Sequence, residues 1–299
     1  GADTIIGDNS ETSPGSGIAD YYSDAPGMDV AIGDHGRITL QTPDSDLNNA
    51  QVFRSSLIAQ VESIDAGNGY GGNDTIEGNL GNDILIGGDG ADYLHGETPV
   101  LPVGSNVDQT DGDDIILGDN GLLRFDVLPT EFSPENSPEL AGAGDDDDRS
   151  LDLVLSQNTL YGGNDTIFGG DGNDLMIGGV GADTIIGDNR EGGDAGINNI
   201  GTNSYGNDVA IGDHGRITLR AGSNQDLGQS FRASLVTEAE SIAAGFVAGK
   251  GGVDTIEGNE GRDILIGGDA GDLLYGETPV LGLLSRTDHD DIILGDNGI

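Results

Sequence analysis

An aspartate recurs every ninth residue in three tandem blocks, each time after a glycine-rich loop and before a short apolar segment. Gly78-Asn79-Leu80-Gly81-Asn82-Asp83-Ile84-Leu85-Ile86 is followed directly by Gly87 to His95. The same nonamer returns at Gly169 to Ile177 and Gly178 to Ile186, and at Gly258 to Ile266 and Gly267 to Tyr275. A carboxylate held at a fixed distance from a tight, carbonyl-rich turn is a donor set for a hard cation. Calcium suits flexible sites built from oxygen alone, whereas magnesium demands stricter octahedral geometry and zinc prefers His or Cys. Stacked one strand apart, such carboxylates repel one another unless a cation lies between neighbours. The competing explanation is an Asx-type turn closed by each side chain. It does not account for Asp, never Asn or Ser, at every equivalent position.

The elements that must present these carboxylates follow from the same register. With the aspartate as position 6, three-residue strands are predicted at Thr4 to Ile6, Val30 to Ile32, Thr75 to Glu77, Ile84 to Ile86, Tyr93 to His95, Ile115 to Leu117 and Thr166 to Phe168. The series continues at Leu175 to Ile177, Thr184 to Ile186, Val209 to Ile211, Thr255 to Glu257, Ile264 to Ile266, Leu273 to Tyr275 and Ile292 to Leu294. Each has an apolar or Ala middle residue that can point inward while its neighbours point out. Taken alternately, the strands form two sets, A and B, with Thr4 to Ile6 the first A strand. Outward positions are mixed on A strands and apolar throughout on B strands, as in Ile84/Ile86, Leu175/Ile177 and Ile264/Ile266.

Every interruption of the nonamer is an enlarged loop. Long inserts at 33–68, 118–159 and 212–248 follow B strands; short ones at 7–23, 96–108, 187–202 and 276–285 follow A strands. The pattern recurs about every 90 residues and closes at about 180, where Gly1 to Asn9 reappears as Gly181 to Asn189 and Ala31 to Leu40 as Ala210 to Leu219. The expectation is one continuous solenoid over 1–299. Both termini fall inside the repeat frame, which suggests an excerpt from a longer protein.

An apolar strip of stacked B strands is larger than a soluble monomer leaves exposed. Each long insert begins Gly-Asp-(Asn/His)-Gly, runs into an alternating segment such as Arg37 to Leu40, Leu122 to Phe125 or Arg216 to Leu219, and returns through Leu57 to Ile64, Leu151 to Leu155 or Leu235 to Ile242. Such pairs read as β-hairpins folded over the B strands, about two rungs each. The alternative is that they project as solvated arms and the strip is a self-association interface. The return segments also admit short helices.

Composition narrows the function. The chain has 54 Asp plus Glu against 11 Lys plus Arg, a formal charge of -43. That excess repels phosphate backbones and anionic lipid, which excludes nucleic acid and membrane surfaces as partners. With 34% hydrophobic residues and 54 glycines, a thin continuous core is better supplied than a bulky one. Without cysteine there is no disulfide framework, thiolate site or Cys nucleophile. No apolar run approaches the length of a membrane span, and no signal-peptide pattern is present.

Gly169-Gly170-Asp171-Gly172-Asn173-Asp174-Leu175-Met176-Ile177 and its neighbours resemble the RTX, or hemolysin-type calcium-binding, repeat family, whose consensus is G-G-x-G-x-D-x-U-x. The resemblance covers 69–95, 160–186 and 249–275. It implies an all-β fold, a parallel β-roll in which each 18-residue turn supplies two strands and calcium sits between loops one turn apart. Carried over by position, it makes Asp74, Asp83, Asp92, Asp165, Asp174, Asp183, Asp254, Asp263 and Asp272 calcium ligands. Their partners are carbonyls of Gly69, Gly71, Gly78, Gly81, Gly87, Gly90, Gly169, Gly172, Gly178 and Gly181. Asp3, Asp29, Asp114, Asp208 and Asp291 hold the same position after enlarged loops, where sites are expected to be less complete.

In Gly-Asp-(Asn/His)-Gly the acid (Asp8, Asp34, Asp119, Asp188, Asp213, Asp296) either adds a ligand or caps the turn that launches the insert. His35 and His214 stand where Asn120 and Asn297 stand elsewhere, and are read as left-handed turn residues. His95 and His289 read as surface residues, and Asp145 to Asp148 as a solvated hairpin tip. No nucleophile elbow, zincin helix or phosphate loop is present. Paired acids such as Asp113/Asp114 and Asp290/Asp291 are explained by their repeat position rather than by catalysis. The reading is a non-enzymatic, calcium-binding structural segment, with on the order of ten ions. The resemblance places it in a large secreted or cell-surface bacterial protein, exported by one-step secretion and adjoining further segments of a longer chain. The alternatives are a calcium-dependent folding and export module for an adjacent enzyme or toxin, and a polysaccharide-active β-solenoid enzyme.

Overall fold

The computed structural model describes residues 2–6, 29–40, 58–69, 71–79, 81–97, 112–125, 151–170, 172–188, 206–219, 236–242, 251–259, 261–277 and 290–296. The short inserts, His289, Asn297 and the run Asp145 to Asp148 lie wholly or mostly outside these residues.

Within them the chain is all β, and no helix among them is long enough and apolar enough to cross a membrane. It opens with β1 (Thr4–Ile6), β2 (Val30–Ile32) and a hairpin of β3 (Gly36–Leu40) and β4 (Ile58–Ser63). Next come β5 (Thr75–Glu77), β6 (Ile84–Ile86), β7 (Tyr93–His95) and β8 (Ile115–Leu117), then the hairpin β9 (Gly121–Arg124) and β10 (Leu153–Ser156). β11 (Thr166–Phe168), β12 (Leu175–Ile177), β13 (Thr184–Ile186) and β14 (Val209–Ile211) precede the third hairpin, β15 (Gly215–Leu219) and β16 (Val236–Ser241). The chain closes with β17 (Thr255–Glu257), β18 (Ile264–Gly268), β19 (Leu273–Tyr275) and β20 (Ile292–Asp296).

The alternating strands sort into two parallel seven-stranded sheets, β1-β5-β7-β11-β13-β17-β19 and β2-β6-β8-β12-β14-β18-β20. Register is strict: Ile76 stands beside Leu94, Leu94 beside Ile167, and Ile185 beside Ile256. The middle residues of both sheets point at one another and form a core of Ile76, Leu85, Leu94, Ile116, Ile167, Met176, Ile185, Ala210, Ile256 and Leu265. This is a parallel β-roll: one apolar side chain per strand suffices because the layer between the sheets is thin and continuous.

The long inserts do not stand apart as separate arms. All three hairpins join edge to edge into one antiparallel sheet, β16-β15-β10-β9-β4-β3, which roofs the second parallel sheet. The return segments are strands, not helices. β4 pairs with β9 of the next hairpin, and β10 with β15. Beneath the roof lies a second core, in which Val61, Leu123, Phe125, Val154 and Ile217 pack on the outward Ile84, Ile86, Ile115, Leu117, Leu175, Ile177 and Ile211. The apolar strip is therefore covered over these strands, so self-association through it has no surface there. The last glycine of the Gly-Asp-(Asn/His)-Gly motif has its reason here. A Cβ on Gly36, Gly121 or Gly215 would strike the side chain of Ile32, Leu117 or Ile211, because the hairpin folds back over the strand it has just left.

Phe125 is fully buried at the centre of this roof core. Phe125→Ala should cost about 3–5 kcal/mol, read from denaturant unfolding in calcium. A cost near zero would show that the roof is not packed on the roll.

Candidate metal sites along the loop rows

Two ladders of aspartates run the length of the roll. The backbone N–H of each position-6 aspartate donates to Oδ1 of the equivalent aspartate one turn later. In one row the series is Asp3, Asp74, Asp92, Asp165, Asp183, Asp254 and Asp272, with donor–acceptor distances of 2.7–3.0 Å. In the other it is Asp29, Asp83, Asp114, Asp174, Asp208, Asp263 and Asp291, at 2.7–3.1 Å. From the second member of each row onward, the carboxylate thus spends one oxygen fixing the stack, and its other oxygen faces the first glycine of its loop. All fourteen positions are brought into these ladders, those after enlarged loops included.

The inward oxygen lands on the first glycine of its own loop. A Cβ on Gly118 would collide with Oδ2 of Asp165 and lie 2.6 Å from the carbonyl oxygen of Gly178, one turn on. Ten glycines show this convergence of a carboxylate oxygen and a next-turn glycine carbonyl. Six are in one row (Gly33, Gly87, Gly118, Gly178, Gly212, Gly267) and four in the other (Gly78, Gly96, Gly169, Gly187). Of the glycines expected as partners, Gly78, Gly87, Gly169 and Gly178 occupy this place. Gly81, Gly90, Gly172 and Gly181 form a second set that stacks from turn to turn through enlarged loops, as in Gly81, Gly112, Gly172, Gly206 and Gly261. Gly69 is different: nothing lies where its Cβ would be, and the glycine facing Asp74 is Gly33, which precedes the insert. Gly71 packs against Asp34 and Asp89.

Gly33 and Gly71 show how a loop can grow without breaking the frame. The insert leaves after position 2 and returns at position 3, so the turn is split but complete. The acid at position 2 closes the split. Asp119 accepts N–H bonds from Gly163 on its own returning loop (3.0 Å) and from Val180 on the next turn. Asp213 does the same with Gly252 (3.1 Å) and Asp269. Asp34 accepts from Asp89 (2.6 Å), and Asp188 from Gly206 (3.2 Å). These contacts close the turn, one of the two roles open for this acid. The His and Asn that follow it are not left-handed. His35, Asn120 and His214 instead accept, through their carbonyls, the N–H of Ile64, Gln157 and Ile242 across the hairpin base.

Other side chains depart from expectation. His95 is buried rather than on the surface, stacked on Phe168 at 4.3 Å with its Nε2 3.0 Å from the Tyr93 hydroxyl. Burial pushes its imidazole down to about 4. Asp113 accepts both the backbone and side-chain N–H of Asn173, at 2.9 and 2.8 Å, which gives this acid a structural place between turns.

The electrostatics of the ladders ask for a cation. Oδ2 of Asp74, Asp92, Asp165, Asp183, Asp208, Asp254 and Asp263 is buried without a hydrogen-bond partner. Burial first, with repulsion from neighbouring carboxylates adding to it, pushes Asp92, Asp254 and Asp263 up to about 7, Asp183 to about 8 and Asp165 to about 9. Among the described residues no three His, Asp or Glu side chains converge on one point. Any ion here must therefore take single carboxylates from successive turns together with loop carbonyls, an all-oxygen set that suits calcium.

A family model for the RTX calcium-binding nonapeptide repeat (4 copies) matches residues 68–98, 159–189 and 248–278. These three stretches match RTX calcium-binding repeats. No curated protein and no solved structure matches it. The matched residues hold the three tandem blocks, and the aspartate ladder continues through the enlarged loops between them, where Asp114 and Asp208 bond as Asp83 and Asp174 do. The residues present fit the ion that RTX repeats bind, because the buried oxygens belong to carboxyl groups, are without hydrogen-bond partners and lie among loop carbonyls. Calcium, when bound, supplies the positive charge that lets these carboxylates stay ionised.

The pH dependence without calcium has a definite sign. A carboxylate unfolded at about 3.9 and folded at about 7 to 9 binds more protons in the fold, so its stability contribution is present at low pH and lost as pH rises through the folded value. In excess chelator, far-UV circular dichroism should show more β structure at pH 5 than at pH 8. Equal or smaller β content at pH 5 would contradict the burial of these carboxylates.

Proposed function

We propose that this chain is a non-catalytic structural segment of a large secreted or cell-surface bacterial protein, one continuous RTX solenoid over 1–299 that folds as it binds calcium. RTX repeats give it a calcium-binding structural role. The observation that carries the rest is the row of buried Oδ2 atoms without hydrogen-bond partners, those of Asp74, Asp92, Asp165, Asp183, Asp208 and Asp254 set beside a glycine carbonyl of the adjacent turn. The ligands we assign are the fourteen ladder aspartates, with carbonyls of the first-position glycines and of the stacked Gly81, Gly90, Gly172 and Gly181 set. Ten convergent cradles support an ion count on the order of ten.

The coupling of binding to folding follows from charge. A formal charge of -43 keeps the metal-free chain expanded. Calcium binds the stacked turns and not the open chain, so its binding free energy is folding free energy. Proteins with RTX repeats are typically extracellular or secreted, where calcium is plentiful, and a chain that stays unfolded until it reaches calcium suits export through a narrow channel. Its product is a stiff, roofed rod rather than a reaction.

Titrating calcium at pH 7.5 should give a cooperative gain of β signal in far-UV circular dichroism, and equilibrium dialysis should count about ten ions. Ordered β structure persisting in excess chelator at that pH would sink the coupled-folding reading.

A further inference from the structure

Enlarged and compact loops differ at one position. Where an insert leaves, the residue after the first glycine is always an acid: Asp8, Asp34, Glu97, Asp119, Asp188, Asp213, Glu277 or Asp296. Compact loops carry Asn79, Gly88, Gly170, Gly179, Asn259 or Gly268 there, all with positive φ. Among the described residues the acids are not left-handed, and they reach forward over the next turn. A Cβ on Gly88, Gly170, Gly179 or Gly268 would strike Asp34, Glu97, Asp119 or Asp213. Closing a turn does not by itself ask for an acid. Asn and Ser accept loop N–H bonds as well, yet neither occurs at any of these positions.

Each described acid stands beside an ion cradle. The ten cradles divide equally: those of Gly33, Gly96, Gly118, Gly187 and Gly212 belong to enlarged loops, and those of Gly78, Gly87, Gly169, Gly178 and Gly267 to compact ones. In the enlarged set, Oδ2 of Asp74, Asp165, Asp208 and Asp254 is buried without a hydrogen-bond partner, on residues at most 2% exposed. The acid of the same loop is its neighbour in charge. Burial apart, Asp34 weighs most on Asp74 and Asp188 on Asp208, while Asp119 and Asp213 are repelled most by Asp165 and Asp254. Asp213 also acts on Asp183, on the turn before, but its bonds to Gly252 and Asp269 hold it between its own turn and the next.

We propose that these acids add a second carboxylate charge to the cradles of the enlarged loops, so that Asp34, Glu97, Asp119, Asp188 and Asp213 define five tight calcium sites alternating with five weaker ones. The proposal rests on the calcium-binding reading above and divides its sites into two classes. The affinity of an all-oxygen calcium site is set in part by its count of charged ligands. Two carboxylates balance one divalent ion, whereas a compact loop supplies its ladder aspartate alone. The placement has a physical reason. An enlarged loop draws its first two residues and its last four from segments parted by the insert, so an ion there must offset a closure entropy that a compact loop lacks. The extra charge stands where that cost falls.

The test is isotope exchange. The 299-residue chain, folded in saturating radioactive calcium, is diluted into excess unlabelled calcium, which keeps every site full while the bound label leaves. Two phases of about five ions each are expected, the slow one at least about tenfold slower than the fast. Asp119→Asn and Asp188→Asn keep a side-chain oxygen for the loop N–H and remove the charge. Together they should take two ions from the slow phase, with the β signal in far-UV circular dichroism retained; should the pair not fold, each single change is read for the loss of one. Asp188→Glu should keep the slow phase whole, since Glu97 fills the same place in its own loop. Exchange of all ions in one phase, or a slow phase that the two Asn changes leave intact, would overturn the proposal and leave calcium-coupled folding standing. No gain of β structure in calcium would sink both.

Discussion

The fold depends on one arrangement of charge: a carboxylate in every loop, stacked on the carboxylates of the turns before and after. One oxygen of each takes the backbone N–H of the preceding turn, which locks the strands in register without help from side-chain packing. The other is thereby aimed into a buried space against glycine. Two ladders of such groups cannot stay ionised beside one another in a dry interior. Shape and instability thus arise from the same bonds, and a cation at the inward oxygens is what reconciles them. This explains why three residues suffice for a strand. Rungs this short have too little backbone pairing to define themselves, so the loops define them.

The second sheet adds a separate demand. Its outward faces are apolar, and the roof that covers them is made entirely from inserted chain. Such inserts are tolerable only if they leave the metal-facing loop intact. The split between positions 2 and 3 achieves this, since Gly33 and Asp74 face one another although an insert of more than thirty residues separates positions 2 and 3 of their loop. The acid at position 2 bonds the two halves together. Its presence constrains the next turn: a Cβ on Gly88, Gly179 or Gly268 would strike Asp34, Asp119 or Asp213. Enlarged and compact loops therefore alternate for a steric reason along this row.

Much of this was legible from the aspartate register alone. Fourteen strands, their division between two sheets and the covering of one sheet by hairpins all follow from where Asp stands and which outward residues are apolar. β18 and β20 run two residues beyond their expected ends. What was not legible depended on contacts between residues far apart in sequence. Gly69 looks like the first residue of a nonamer, but the position is filled by Gly33 because the turn is discontinuous. The enlarged loops looked less regular for the same reason, yet Gly33, Gly118 and Gly212 face Asp74, Asp165 and Asp254 across them. His95 reads as exposed because it has no repeating partner in the register, yet Phe168, on the adjacent rung, stacks on its ring. Nor does a hairpin pattern reveal its neighbours: that β4 meets β9, and β10 meets β15, is decided only when the rungs beneath set the hairpins two strands apart.

That pairing changes how the molecule holds together. In a bare solenoid each turn touches only the next, so stability is a sum of nearest-neighbour terms and unfolding can run in from either end. Here each hairpin spans two rungs and is joined to the hairpin over the following two. Removing a cation from one loop would loosen a rung, but its outward residues remain held by a roof strand whose own partners stand on other rungs. Val61 and Leu123, facing each other across the β4–β9 junction, and Val154 and Ile217, across β10–β15, are the points where this sharing occurs. Ion sites that would be independent beyond their immediate neighbours become coupled through an apolar layer containing no ligand. The sharpness of calcium-driven folding is then a property of the roof as much as of the ladders.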